Sequence, residues 1–130
     1  MPAQPSRDPF QYALLRVVPR IERGECLNAG VIVFCRTRSF LAARVTLDRA
    51  RLAALAPDAE PDGIERHLAW LERVAAGDAA AGPVARLEPS ERFHWLAAPA
   101  STVVQPSPVH TGLCEDPGEM LDRLHAALVA

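Results

Sequence analysis

The sequence predicts an α+β protein, with a mostly antiparallel sheet of about five strands and two main helices packed on one face. Three observations lead to this prediction. Three apolar segments near the N-terminus follow one another through short polar links, an amphipathic stretch in the middle has helical spacing, and a capping motif starts a last helix. With 130 residues, 49% of them apolar, a single domain is expected over residues 11–130, after a short flexible lead at 1–10.

The first three segments are expected to form an antiparallel meander. Gln11–Val18 is apolar on both faces except for Arg16, which is typical of a central strand. Leu27–Cys35 contains a run of β-branched residues, which favours an interior strand. Leu41–Leu47 alternates apolar and polar side chains, as a half-exposed strand does.

The middle of the chain is expected to form two helices. Asp48 is a suitable N-cap for a short helix over Arg49–Leu55. A longer helix over Asp62–Ala76 follows a break that contains two prolines, and its apolar side chains recur at helical spacing. Those side chains are Ile64, Leu68, Leu71 and Ala75, with Trp70 and Val74 widening the stripe.

The C-terminal third is expected to add two strands and the last helix. Arg92–Ala97 is predicted as the fourth strand, with Phe93 and Trp95 on one side, and Ser101–Gln105 as the fifth. The sequence DPGE at 116–119 places an acid at the N-cap, proline at the first helical position and glutamate at the third, so a helix should begin there.

Composition excludes several functional classes. All fourteen basic residues are arginine, so chemistry that depends on lysine is excluded. The formal net charge is −2, and the chain has no basic run and no phosphate-binding glycine loop, so nucleic acid is not an expected partner. No segment is apolar enough for a membrane helix, and three cysteines without a Cys-x-x-Cys pair or a signal peptide indicate free thiols in the cytoplasm. No cofactor is expected.

The segment from Ser101 to Cys114 is the predicted functional region. Between Arg92 and Glu115 the chain has no formal charge, yet it collects hydroxyls, imidazoles, a thiol and three prolines. Such a segment is expected to be a loop held against the scaffold, and loops of this kind often carry function. We expect a recognition surface in which the binding residues include Ser101, Gln105, His110 and Thr111.

Three residues of this segment are candidates for catalysis. Cys114 could be a thiolate activated by His110, and Ser107 could form a triad with His110 and Asp116. In the alternative interpretation, Cys114 packs as a small apolar side chain and Ser107 bonds to loop backbone. His110 and Cys114 are the only close pair of nitrogen and sulphur ligands, so no metal site is predicted.

Arg16 and Arg92 suggest an anion site. A buried arginine needs a carboxylate or a bound anion, and two that face one cavity would hold a phosphate or carboxylate, with His110 as general base. The alternative is an internal ion pair with Glu25 or Asp116.

The stretch GECLNAG at 24–30 is the last candidate. Glu25 and Asn28 are predicted to form a polar rim beside the Ser101–Cys114 segment, and the alternative is ordinary turn chemistry. Asn28 and Gly30 just inside a strand also indicate a bulge or a close backbone approach.

Three motifs together resemble the domain-of-unknown-function 3037 family of bacterial proteins: YALLRVVPRIERGECLNAGVIVFC, FLAARVTLD and RFHWLAAPASTVVQPSPVHTGLCEDP. The resemblance runs from about Tyr12 to Leu128. The matching positions are Arg16, Pro19, Glu25, Asn28, Gly30, Arg92, Phe93, Trp95, Leu96, Ser101, Gln105, His110, Thr111, Gly112 and Asp116. The resemblance implies no established activity, and an association of members with a neighbouring HipA-like kinase implies a partner role.

The leading hypothesis is therefore a small cytoplasmic accessory or binding protein. It would use the Ser101–Cys114 segment as its recognition surface, with a HipA-like kinase as the candidate partner. The alternative is a hydrolase or transferase acting on a small anionic substrate, with Arg16 and Arg92 as anion binders and His110 as general base. A third interpretation is that the segment is structural. The oligomeric state is left open.

Overall fold

A computed structural model describes residues 7–100 and 102–130 and confirms the α+β class. The strands are β1 (Asp8–Val17), β2 (Leu27–Cys35), β3 (Phe40–Val45), β4 (Val104–Pro106) and β5 (His110–Cys114). The helices are α1 (Arg49–Leu55), α2 (Pro61–Ala75), α3 (Pro89–Ala97) and α4 (Pro117–Leu128). Ser101 and residues 1–6 of the predicted lead lie outside the described residues.

The predicted meander is confirmed, and β1 lies between β2 and the strands that come from the C-terminal part of the chain. β1 pairs antiparallel with β2, and β2 pairs antiparallel with β3. On its other side β1 pairs with β4 through Leu15–Val17 and with β5 through Asp8–Tyr12. β1 begins at Asp8, three residues earlier than expected, because Asp8 pairs with Cys114 at the far end of β5.

Helices cover both faces of the sheet, so the prediction that the two main helices pack on one face is wrong. α2 and α3 share a core with Ile32 and Phe34 on one face. α4 packs on the other face, where Leu121 joins Val31 and Val33. The physical reason lies in β2, whose side chains are apolar on both faces and therefore need a layer on each.

The fourth predicted strand, Arg92–Ala97, is instead part of α3. Pro89 occupies the first turn of that helix, where its fixed φ and missing N–H cost nothing. Phe93 and Leu96 are its buried residues, at the i, i+3 spacing of one helical face. The alternation of Phe93 and Trp95 therefore does not mark two sides of a strand.

The predicted fifth strand and the predicted loop after it are also corrected. β4 is Val104–Pro106 rather than Ser101–Gln105, and the segment that follows returns to the sheet as β5. The register along β1 shifts by one residue between β4 and β5, from Leu15 opposite Pro106 to Tyr12 opposite His110. The predicted recognition loop is thus a kinked edge strand.

Capping and backbone predictions are confirmed. Asp48 accepts a hydrogen bond from the Arg51 N–H at 3.1 Å, and Asp116 accepts from the N–H groups of Gly118 and Glu119 at 2.9 and 3.2 Å. A bulge in β2 leaves Leu15 opposite Gly30 but Arg16 opposite Asn28.

Within the described part of the chain, no helix combines the length and the apolar composition needed to cross a membrane.

Candidate functional site

An aromatic cleft of about 370 Å³ lies on the face covered by α2 and α3. Its walls come from α2, from the end of α3, and from the chain on either side of Ser101 as it returns to the sheet. They include His67, Trp70, Trp95, Pro99, Thr102 and Pro106. A second hollow of about 360 Å³ adjoins it and shares His67, Thr102 and Val104. Volumes in this range are those of ligand sites.

Three rings form the wall of the cleft. His67 and Trp70 are three residues apart on α2, and their ring centroids lie 5.9 Å apart. Trp95 of α3 meets Trp70 edge to face, with a centroid distance of 5.6 Å and an interplanar angle of 82°. Trp70 is fixed because its Nε1–H donates to the Ala81 carbonyl at 2.8 Å. Trp95 is 41% exposed, so the cleft presents an aromatic surface to solvent.

The segment opposite these rings is held by its own side chains. The Thr102 hydroxyl donates to the Val104 carbonyl at 2.7 Å, and the Gln105 amide donates to the Thr102 carbonyl at 2.8 Å. These two bonds close a turn that fixes one wall of the cleft. Gln105, predicted to bind a partner, therefore shapes this wall through its amide group.

Arg16, Asn28 and Gln105 form a row across three strands on the α4 face, because Arg16 pairs with Asn28 on one side and with Gln105 on the other. Asn28 donates to the Leu128 carbonyl at 3.1 Å and so ties the end of α4 to the sheet. Among the described residues, no carboxylate lies within ion-pair distance of Arg16, so the predicted internal ion pair with Glu25 or Asp116 is absent there. Glu25 pairs with Arg23, and Asp116 caps α4.

Arg92 does not join Arg16. Its guanidinium lies on the other side of the sheet, where it donates to the Leu87 carbonyl at 2.7 Å and to the Ala75 carbonyl at 3.4 Å. It packs against Gly77 just after α2 and so supports the end of that helix. The two arginines therefore do not line one cavity as the anion-site hypothesis required.

Ser107 and His110 do not form the catalytic pair that the sequence suggested. Ser107 is buried, its hydroxyl accepts the Leu14 N–H at 2.8 Å, and it donates to the Pro108 carbonyl at 2.9 Å. The His110 ring is exposed and stands against Tyr12, with centroids 5.1 Å apart. Both hydrogen bonds of the Ser107 hydroxyl are to backbone groups, which favours a structural role over that of a nucleophile.

Cys114 lies in the α4-side core, and burial raises the pKa of its thiol above the ordinary value, with the nearby Cys35 thiol adding to the effect. The neutral thiol is thus favoured at neutral pH, which opposes a nucleophilic role. Thr111, the remaining predicted binding residue, is exposed on β5 and faces away from α4.

The three thiols should differ sharply in reactivity. Cys26 is exposed, whereas Cys35 and Cys114 are buried. We expect Ellman's reagent to modify one thiol per native chain rapidly and all three in denaturant, because buried neutral thiols are shielded. In a Cys26→Ser variant, rapid labelling of the native chain would contradict this placement of Cys114 and Cys35.

The sequence interpretation missed the cleft. The sequence predicts Trp70 in the apolar stripe of its helix and Trp95 in a strand, and the two side chains meet only in the folded chain. The signal available in the sequence was the residue type, since the indole of each of its two tryptophans combines a large apolar surface with a hydrogen-bond donor. An indole on a half-exposed face is typical of binding surfaces.

One of the three comparisons with known proteins found a match. The family model described as "Protein of unknown function (DUF3037)" matches residues 12–129. The searches of curated proteins and of solved structures found no match.

Proposed function

The chain belongs to the DUF3037 family of proteins of unknown function, and on that premise we propose that it is a small binding protein that recognises a partner through the aromatic cleft. The observation that carries this proposal is the exposed face of Trp95 beside Trp70 in a cleft of about 370 Å³. Tryptophan is enriched among the residues that dominate binding energies, because it buries a large area and loses little conformational entropy.

Part of the Ser101–Cys114 segment, which is expected to recognise a partner, lines the cleft. Thr102, Val104 and Pro106 of that segment line it, and the Thr102–Gln105 turn holds them in place. A wall fixed before binding reduces the entropy lost on association. The chemistry of the cleft suits an apolar or aromatic group of the partner, while His67 at the shared rim can exchange a hydrogen bond.

We also propose that the protein is cytoplasmic and that its partner is a HipA-like kinase encoded by a neighbouring gene. Both derive from the sequence, the first from the free thiols and the second from the family resemblance. The kinase is therefore the first partner to test. Substitutions in the cleft show whether the kinase binds there.

We expect Trp95→Ala to weaken binding of the partner by about 30-fold, the change that corresponds to a loss of about 2 kcal/mol at an interface hot spot. The measurement is calorimetry with the co-expressed neighbouring kinase. Both tryptophans of the chain lie in the cleft, so their fluorescence should shift when the partner binds. Ile21, which is 50% exposed and outside the cleft, offers a matched control in Ile21→Ala.

Two results would count against the proposal. If the kinase binds the Trp95→Ala chain as tightly as the native one, the cleft is not the recognition surface. If no complex forms at micromolar concentration, the kinase is not the partner.

A further inference from the structure

β5 is an edge strand whose outward backbone groups are free. Leu14 accepts the Ser107 N–H at 2.8 Å, and its own N–H bonds to the Ser107 hydroxyl, so the backbone of Leu14 points toward this edge. Alternate residues of a strand point the same way, so Tyr12 and Phe10 exchange hydrogen bonds with His110 and Gly112. Thr111 and Leu113 therefore direct their N–H and C=O groups outward, where no bond to them is made within the described residues.

Several outward groups on the other edge strands are blocked. On β3, the outward N–H of Val45 donates to the Glu72 carboxylate at 3.0 Å. On β4, Pro106 has no N–H, and the outward carbonyl of Val104 accepts the Thr102 hydroxyl. Proteins usually protect edge strands with charges, prolines or covering groups, because bare edges pair with other chains. β5 has none of these between His110 and Cys114.

One face of this edge carries both a projecting side chain and a pocket. Leu113 is 61% exposed, the highest value among the large apolar residues of the described chain. Thr111, two residues earlier and on the same face, lies at the rim of a pocket of about 310 Å³. Its other lining residues are Pro9, Phe10, Gln11, Phe34 and Arg36. A strand added to β5 would lay its side chains across this rim.

We propose that β5 pairs antiparallel with β5 of a second copy of this chain, about a two-fold axis at Gly112. In this register Thr111 lies opposite Leu113 of the partner, and each pair exchanges two hydrogen bonds between outward groups. Leu113 of each copy then lies beside the pocket rim of the other. The interface is isologous, as in most homodimers, because the same chain supplies the projection and the pocket.

Charge and steric fit support a second copy as the occupant. β5 contains no Asp, Glu, Lys or Arg, so self-pairing brings no carboxylates, ammonium groups or guanidinium groups opposite one another. The residue at the axis is glycine, so no side chains collide where the two strands approach most closely. Five residues of strand make a small interface, and the dimer should therefore dissociate on dilution.

Sedimentation velocity of the full chain over a range from micromolar to millimolar concentration tests the pairing. We expect a monomer–dimer equilibrium that Thr111→Pro weakens by at least about tenfold, since proline removes one outward N–H from each strand. Thr111→Val keeps that N–H and is the matched control. Leu113→Asp, at an exposed site, should abolish the dimer without affecting the fold, as judged by circular dichroism.

Hydrogen exchange on the native chain gives a readout that needs no variant. The amides of Thr111 and Leu113 should become protected as concentration rises, while those of His110 and Gly112 stay protected throughout. A chain that remains monomeric at millimolar concentration would overturn the proposal, as would a dimer that leaves the Thr111 and Leu113 amides exchanging freely. Protection of these amides only in the presence of another protein would assign the edge to a foreign strand and equally overturn it.

Discussion

Gly30→Val is expected to lower the free energy of unfolding by about 3 kcal/mol, the upper end of the range for overpacked cores. A Cβ atom at position 30 would lie 2.9 Å from Val45 Cγ1, 3.1 Å from the Arg44 carbonyl oxygen and 3.2 Å from Leu15 Cδ1. All three neighbours belong to the strands on either side of β2, two to β3 and one to β1, and the Arg44 oxygen is backbone, so the side chain cannot be accommodated without moving a strand. Gly30→Ala should cost less, because it adds a single methyl group.

Urea unfolding measures this difference, and Gly63→Ala is the matched control. Position 63 lies in α2, and the nearest atom to its added Cβ is an Arg66 nitrogen at 3.8 Å. Replacing glycine by alanine within a helix should raise stability by up to about 1 kcal/mol. A Gly30→Val chain that unfolds at the urea concentration of the native protein would show that β3 does not approach β2 as closely as described.

Ser107→Ala is expected to lower the free energy of unfolding by about 1–3 kcal/mol, because it leaves the buried N–H of Leu14 without a partner. The Ser107 hydroxyl replaces a backbone acceptor at the point where the register shifts between β4 and β5. Loss of this hydroxyl should also increase the rate of hydrogen exchange of the Leu14 amide. That measurement would show that the destabilisation arises where the register shifts.

Thr111→Ala is the appropriate control for Ser107→Ala. It removes a hydroxyl from the same edge strand, but that hydroxyl is exposed and has no bond among the described residues, so the change should stay within about 0.5 kcal/mol. Equal stability of the Ser107→Ala and native chains would contradict the structural role of Ser107.

The regular elements were largely predictable from the sequence. The β-branched run of the second strand and the caps at Asp48 and Asp116 act locally, so neighbouring residues were enough to identify them. The apolar residues on both faces of β2 also contained the information that helices would cover both sides. The one-face arrangement was wrong because it left the face of Val31 and Val33 without a covering layer.

Short ambiguous segments and tertiary contacts were not predictable in the same way. Phe93 and Trp95 fit the alternation of a strand, Phe93 and Leu96 fit the spacing of a helix, and a six-residue window cannot separate the two patterns. The bonding of Ser107 to Leu14 and of Arg92 to the end of α2 joins residues far apart in sequence. For the same reason, the cleft formed by Trp70 and Trp95 could not be inferred from either helix alone.

The position of β1 between β2 and the C-terminal edge has a consequence for folding. Leu14 and Ser107, which lock the two halves of the sheet together, are separated by 93 residues. During synthesis the meander can form early, but the outer edge of β1 stays unpaired until the last third of the chain has been made. Closing such a long loop slows folding. Until then the unpaired edge belongs to a largely apolar strand that can pair with other nascent chains. The arrival of β4 and β5 therefore ends the period in which this protein is most prone to aggregate.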